Sequence, residues 1–200
     1  MKAVLLDGSL FAQPEMKKLG DTIENLLTSV GWSVERIVLR DTKVAYCLGC
    51  FECWIKSPGI CRIDDAGRDV AGEVINSDLA IFLTPVTFGG YSSQLKKVVD
   101  RLICLISPFF KRIDGEVHHK ARYEHYPSLL GVGLLPAPDT VQEAIFHELI
   151  ARNSINLHAP RHASHIALGA ADDQSLQTFV LENVSSLVNA PVFEKAEACS

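Results

Sequence analysis

The sequence predicts a doubly wound α/β fold: a five-stranded parallel sheet in the order 2-1-3-4-5 with helices on both faces. Three observations carry that expectation. Apolar runs of strand length alternate with segments of helical spacing, and such alternation requires right-handed crossovers and a parallel sheet covered on both sides. The stretch LAIFLTPVTFGGYSSQLKKVVDR, Leu79 to Arg101, holds a strand, a glycine-bearing loop and a helix start in succession. Finally, 200 residues at 48% hydrophobic and 22% charged composition suit one globular domain with a full core, spanning 1–200 with a frayed tail from Ala190.

Taken in order, Lys2 to Asp7 reads as the first strand and Gly8-Ser9 as the turn after it. Met16, Leu19, Ile23, Leu26, Leu27 and Val30 recur at helical spacing, with Pro14 suited to the first turn and Gly31 to the stop. Ser33 to Leu39 alternates as a second strand, and Val44 to Ile63 is irregular and holds four of the six cysteines. Asp64-Asp65 caps a helix marked by Val70, Val74 and Ile75. Leu79 to Leu83 reads as a strand buried on both faces. Ser92 or Ser93 caps the next helix, whose apolar face carries Leu95, Val98, Val99, Leu102, Ile103 and Ile106 and ends before Pro108. Phe109 to Pro127 lacks a clear period and is expected to be a long loop. Ser128 to Leu135 is the fourth strand, Asp139 caps the helix of Val141, Ala144, Ile145 and Leu149, and His162 to Leu168 is the fifth strand. Leu176, Phe179, Val180, Val184 and Leu187 mark the last helix.

In this strand order the switch point lies between strands one and three. Gly8 to Gln13 and Pro85 to Tyr91 then face each other across one crevice, where an open α/β sheet binds its ligand. Glycines let backbone approach a ligand closely, and Phe88 offers a flat apolar wall, which suits a planar molecule. The net charge of −5 and pI near 5.8, with no Lys/Arg run, exclude an electrostatic nucleic-acid footprint. No apolar run approaches the roughly 18 residues of a membrane helix, and the first one is too short for a signal-peptide core. There is no nucleophile elbow, Walker-type loop or His-Glu zinc motif, so hydrolase and kinase chemistry are unsupported. A cytoplasmic protein acting on small molecules is expected, without nucleic-acid or membrane partners. Its cysteines then serve as thiols, metal ligands or a redox pair rather than structural disulfides.

TPVTFGGYSSQLKKVVDR resembles the segment after the third strand in flavodoxin-like FMN reductases and iron-sulfur flavoproteins, and CLGCFECWIKSPGICRIDD is similar to the cysteine segment just upstream in the same families. By motif the resemblance covers roughly Met1 to Leu105, and by architecture the remainder. It implies bound FMN, with Pro85, Val86, Thr87, Phe88, Gly89 and Tyr91 against the isoalloxazine ring and Gly8, Ser9, Phe11 and Gln13 on the first loop. It also implies NAD(P)H as co-substrate and a homo-oligomer with the flavin near a subunit boundary. The first loop departs from the family pattern: Leu10-Phe11-Ala12-Gln13-Pro14 stands where a run rich in Ser, Thr, Arg or Asn is usual. Pro14 removes one N–H, and Ser9 and Gln13 remain as the side-chain donors, so an unusual phosphate pocket or weak FMN binding is expected.

Cys47, Cys50, Cys53 and Cys61 form C-x2-C-x2-C-x7-C. Four cysteines this close suit a [4Fe–4S] cluster, a zinc ion, free thiols, or a reversible disulfide such as Cys47 with Cys50. The resemblance to iron-sulfur flavoproteins admits the cluster without favouring it, since the last gap, filled by Trp54, Pro58 and Gly59, lies at the wide end of their pattern. Cys104 reads as core and Cys199 as a tail thiol. His118, His119, Arg122, Tyr123, His125 and Tyr126 are expected on a solvated loop that covers the crevice or meets another subunit. His147, His158, His162 and His165 read as structural, Leu95 and Val98 as core, and Asp100 and Arg101 as a helix-surface pair.

The resulting expectation is an FMN-binding, NAD(P)H-dependent oxidoreductase of the flavin or quinone reductase type. The protein orients the rings and the cofactor carries the chemistry, so no catalytic side chain is named. Two alternatives stand beside it. One is an FMN electron carrier, with or without the cluster, serving a protein partner; the other is a flavin-free member whose cysteine segment senses redox state or metal.

Overall fold

A computed structural model describes residues 1–169 and 173–188, so Cys199 and the tail from Ala190 lie outside the described residues. The main sheet is built from β1 (Lys2–Asp7), β2 (Ser33–Val38), β3 (Leu79–Pro85), β6 (Ser128–Leu135) and β7 (His162–Leu168). All its pairings are parallel, in the order β2-β1-β3-β6-β7. That is the expected 2-1-3-4-5 order, with the hairpin β4 (Ile106–Ile113) and β5 (Glu116–Ala121) inserted between the third and fourth sheet strands.

The central strands are apolar throughout because both their faces are covered. Alternate residues divide between two cores. Ala3, Leu5, Ile81, Leu83, Leu130 and Val132 pack on α1 (Pro14–Ser29) and α6 (Asp173–Val188). Val4, Leu6, Ala80, Phe82 and Leu129 meet α3 (Ala66–Ile75), α4 (Ser93–Arg101) and α5 (Thr140–Asn156). Burying each such Leu, Ile or Phe side chain contributes about 1.5–3 kcal/mol, so this two-sided burial dominates the stability. Asp65, Ser92 and Asp139 cap α3, α4 and α5 through side-chain oxygens that accept from the first-turn amides.

The segment from Phe109 to Pro127 corrects the expectation of a loop. Phe109 through Ala121 lie in the β4–β5 hairpin, closed by Asp114 (φ 50°) and Gly115 (φ 88°). An Asp-Gly pair between two strand runs is the usual signal for such a turn. Pro108 and the mixture of aromatic and basic residues obscured the alternation here. Helix α4 also ends at Arg101, earlier than the apolar spacing suggested; a 3-10 turn, Leu102–Leu105, follows, and Ile106 opens β4. His118 is buried rather than solvated, with its ring nitrogens 3.1 Å from Glu116 and 3.1 Å from Asn156 of α5. The Tyr126 hydroxyl donates to the Leu105 carbonyl (2.6 Å) and accepts from the Arg122 amide (2.8 Å), which locks the base of the hairpin to the sheet.

Candidate functional site

β1 and β3 lie side by side with Asp7 opposite Leu83, so the loops that leave them emerge at the same edge. They are joined at the root. The Gly8 amide donates to the Leu83 carbonyl (2.7 Å), and the Ser92 hydroxyl donates to the Gly8 carbonyl (2.5 Å). Ser92 also donates its amide to Thr84 Oγ1 (2.9 Å) and caps α4 by accepting from the Leu95 amide (3.3 Å). Gly8 is a requirement of this close approach: a Cβ there would lie 2.8 Å from Leu95 Cβ and 3.1 Å from the Leu83 carbonyl.

Beyond Pro85, the Val86 amide donates to the Leu134 carbonyl (2.9 Å), and Thr87 and Gly90 exchange backbone hydrogen bonds of 3.0 and 2.9 Å. Between them Phe88 (φ 51°) and Gly89 (φ 76°) are both left-handed, the pattern of a tight two-residue turn. For a phenylalanine that conformation costs on the order of 1 kcal/mol, and it holds the ring at the tip of the loop, 93% exposed. Gly89 is braced by α5: its amide donates to Gln142 Oε1 (3.2 Å), and a Cβ would meet Ile145 at 2.5 Å. Pro85 and Val86 are half-buried and Thr87 is exposed. Tyr91 is a correction. It turns into the core edge-on to Phe82 and Phe146, its hydroxyl accepts from Asn153 (2.8 Å), and burial pushes its pKa up to about 12. A tyrosine so enclosed braces the loop from beneath and presents no ring to a ligand.

On the opposite side Gly8 and Ser9 are buried at the root, Gln13 is half-buried, and Leu10 and Phe11 are exposed. The Ser9 amide donates to Asp7 Oδ1 (3.0 Å), and Asp7, whose side chain is 2% exposed, pairs with Arg36 at 2.7 Å. Arg36 continues to Asp21 on α1 at 2.8 Å, and Arg40 donates to the Ser9 hydroxyl. Two arginines from β2 and the turn after it therefore hold a loop that carries few polar side chains of its own. Neither was legible as a site residue in the sequence, where they are charged positions on an edge strand and its exit. The remaining signal was a strand, SVERIV, with an arginine at an inward register.

Cys47, Cys50, Cys53 and Cys61 come together along one small cavity of about 20 Å³, beside the short helix α2 (Glu52–Ile55). Among the described residues no three His, Cys, Asp or Glu side chains are disposed to hold a metal ion. Burial first, and the neighbouring thiols Cys61, Cys47 and Cys50 after it, push the Cys53 pKa up and favour its neutral form. Arg101 overturns the reading of a helix-surface pair. Its side chain is 1% exposed and forks onto Asp65 (2.8 and 3.1 Å), with further bonds to the Ala45 and Ile63 carbonyls beneath the cysteine segment. Asp100 instead pairs with Lys96 on the helix surface. Burial works against the Asp65 carboxylate, but the Arg101 guanidinium and the Ala45 and Gly67 amides outweigh it and hold its pKa below the usual range.

A doubly wound sheet in this order, with a crevice where the strand order reverses, defines the flavodoxin-like class. The chain belongs to the NADPH-dependent FMN reductase family, whose model matches residues 1–122. It is 31% identical over 103 residues to an iron-sulfur flavoprotein of Archaeoglobus fulgidus, covering 52% of this chain and 46% of that one. A second iron-sulfur flavoprotein, from Methanocaldococcus jannaschii, is 33% identical over 101 residues, 50% of this chain and 51% of its own. The chain thus spans about half the length of the curated relatives it matches. Among solved structures, an NAD(P)H:quinone oxidoreductase from Methanothermobacter marburgensis superposes with a TM-score of 0.66 at 12% identity, over 94% of this chain and 96% of that one, which speaks to the fold alone.

Proposed function

We propose that the chain is an FMN-binding, NAD(P)H-dependent oxidoreductase of the flavin or quinone reductase type. The observation that carries this reading is the pair of loops that leave β1 and β3 side by side at the reversal of strand order, one tightly braced with an exposed aromatic tip and the other held by arginines. The residues fit the cofactor: an uncapped helix N-terminus at Gln13, a buried Gln13 Oε1 without a partner and cationic side chains border the first loop. Pro85, Val86, Thr87, Phe88 and Gly89 would flank the ring, and Gly8, Ser9, Phe11 and Gln13 the ribityl phosphate side. When bound, FMN supplies two-electron exchange between a nicotinamide and an acceptor such as a quinone or free flavin. The chain's own work is to hold the two loops in register through Ser92 and Gly8, to present an apolar wall at Phe88, and to leave the crevice open for a second planar molecule.

The purified protein titrated with FMN tests this. Flavin absorption that stays with the protein, and NAD(P)H oxidation that depends on added quinone, are the expected results. Protein that stays colourless with excess FMN would overturn the reading. FMN retention without nicotinamide oxidation would favour an electron carrier.

An iron-sulfur reading has one observation behind it, the four thiols along one cavity. That donor set matches a cluster in chemistry, while no three of these side chains are disposed to hold a metal ion as they stand. Iron and sulfide analysis after anaerobic reconstitution decides the point. We place the protein in the cytoplasm, where its thiols stay reduced, and as a homo-oligomer. Support for the latter is the exposed apolar surface of Tyr46, Leu48 and Ile55 on the cysteine segment and Phe109, Phe110 and Val117 on the hairpin. Among the described residues no helix is long and apolar enough to cross a membrane.

A further inference from the structure

Beside the first loop lies a cavity of about 430 Å³, walled by Gln13, Pro14 and Lys17 on the α1 side and by Arg36, Val38 and Arg40 on the β2 side. Its lining carries three cations, Lys17, Arg36 and Arg40, against one carboxylate, Asp7. That carboxylate is already engaged, by Arg36 at 2.7 Å and by the Ser9 amide at 3.0 Å, and Arg36 is further held by Asp21 at 2.8 Å. Lys17 and Arg40 retain capacity. Arg40 gives one N–H to the Ser9 hydroxyl and stands 3.5 Å from Asp41. Lys17 pairs at 2.5 Å with Asp21, an exposed partner that is readily exchanged. Gln13 Oε1 is buried there without a partner, and a flip of that amide turns an N–H to the same place. The intervening Leu10, Phe11 and Ala12 offer no polar side chain, and Pro14 offers no N–H.

An anion entering this cavity finds three cations on its walls, two of them paired only with exchangeable surface carboxylates, together with an uncapped helix start and an unsatisfied amide. We propose that the cavity is a phosphate-monoester site in which Arg40 and Lys17 supply the charge that the first loop lacks, Arg40 reaching it from the exit of β2. The proposal rests on the flavin reading above and deepens it. Two phosphate monoesters belong to that reading: the 5′-phosphate of FMN and the 2′-phosphate of NADPH. Arg36 has a separate part, holding Asp7 so that it does not compete with the ligand.

The test is equilibrium binding of FMN and riboflavin, followed by flavin fluorescence, to the full chain and to Arg40→Gln and Lys17→Gln. Glutamine at position 40 keeps a donor for Ser9 without the charge, and unchanged riboflavin affinity reports an intact loop. If the FMN phosphate occupies the site, each variant binds FMN about tenfold more weakly, binds riboflavin as before, and shows a shallower dependence on salt. If the NADPH phosphate does, the FMN-to-riboflavin ratio holds while the preference for NADPH over NADH, in binding, falls about tenfold. Unchanged ratios in both arms, in the single variants and in the double variant, would overturn the proposal. A third arm, stabilisation of the chain by inorganic phosphate against heat, separates it from the function assigned above. Stabilisation that is lost in Arg40→Gln, in a chain that binds no flavin, would retain the anion site and sink the flavin reading.

Discussion

The two loops that frame the crevice solve the same positional problem in opposite ways. The loop after β3 carries its own two-residue turn, closed by the Thr87–Gly90 bonds, and is braced through apolar and backbone contacts with β6 and α5, at Leu134, Ile145 and Tyr91. The loop after β1 contributes little polar side-chain chemistry, and its shape depends on Arg36 and Arg40 from a different strand. A loop whose geometry is written in neighbouring residues is legible from sequence. A loop organised by charges brought from the sheet edge is not, because strand pairing is what delivers them.

Breaking that outside support is expected to have the largest effect. Arg36→Met leaves Asp7 buried with its charge unpaired, and removing one partner of a buried pair costs about 3–5 kcal/mol. Urea denaturation should show that loss, and adding Asp7→Asn should recover most of it. No recovery would mean that Arg36 acts through packing alone. Gly8→Ala probes the point where the two loops are tied. Its Cβ would press on Leu95 and the Leu83 carbonyl, for an expected cost of about 1–3 kcal/mol in the same assay. Full stability would show that the junction can spread.

At the tip of the ring-side loop the expectation reverses. Phe88→Ala should change stability by less than about 0.5 kcal/mol, since the side chain is exposed, yet weaken FMN about tenfold. Unchanged FMN affinity would remove Phe88 from the site. The smallest effect concerns pH. The hydrogen bond from Lys17, chiefly, and the bonds and charge of Arg36 hold the Asp21 pKa below its ordinary 3.8, against the pull of burial. Its contribution is therefore complete above about pH 4 and is lost as pH falls through the folded-state value. Asp21→Asn should lower stability by a constant amount above about pH 4 and flatten the profile below it.

Most of the architecture was legible because it follows from period. Strands of uniform apolarity, helix caps at Asp65, Ser92 and Asp139 and the right-handed crossover rule lead to one sheet order. Three features escaped for physical reasons. The β4–β5 hairpin is only partly buried, so its alternation is broken by outward phenylalanines and inward His118. Arg101 and Tyr91 are polar residues whose burial depends on distant partners, Asp65 and Asn153, which no local pattern announces. The cysteine spacing pointed to shared surroundings for the four thiols, and they line one cavity, but spacing does not encode the volume between them.

The most direct measurement is a crystal structure of the chain with FMN. The expected result is the isoalloxazine ring against Pro85 to Gly89 and the phosphate beside Gln13, within hydrogen-bond reach of Arg40 or Lys17. A flavin bound elsewhere, or a phosphate held by backbone amides alone with both side chains turned to solvent, would contradict it.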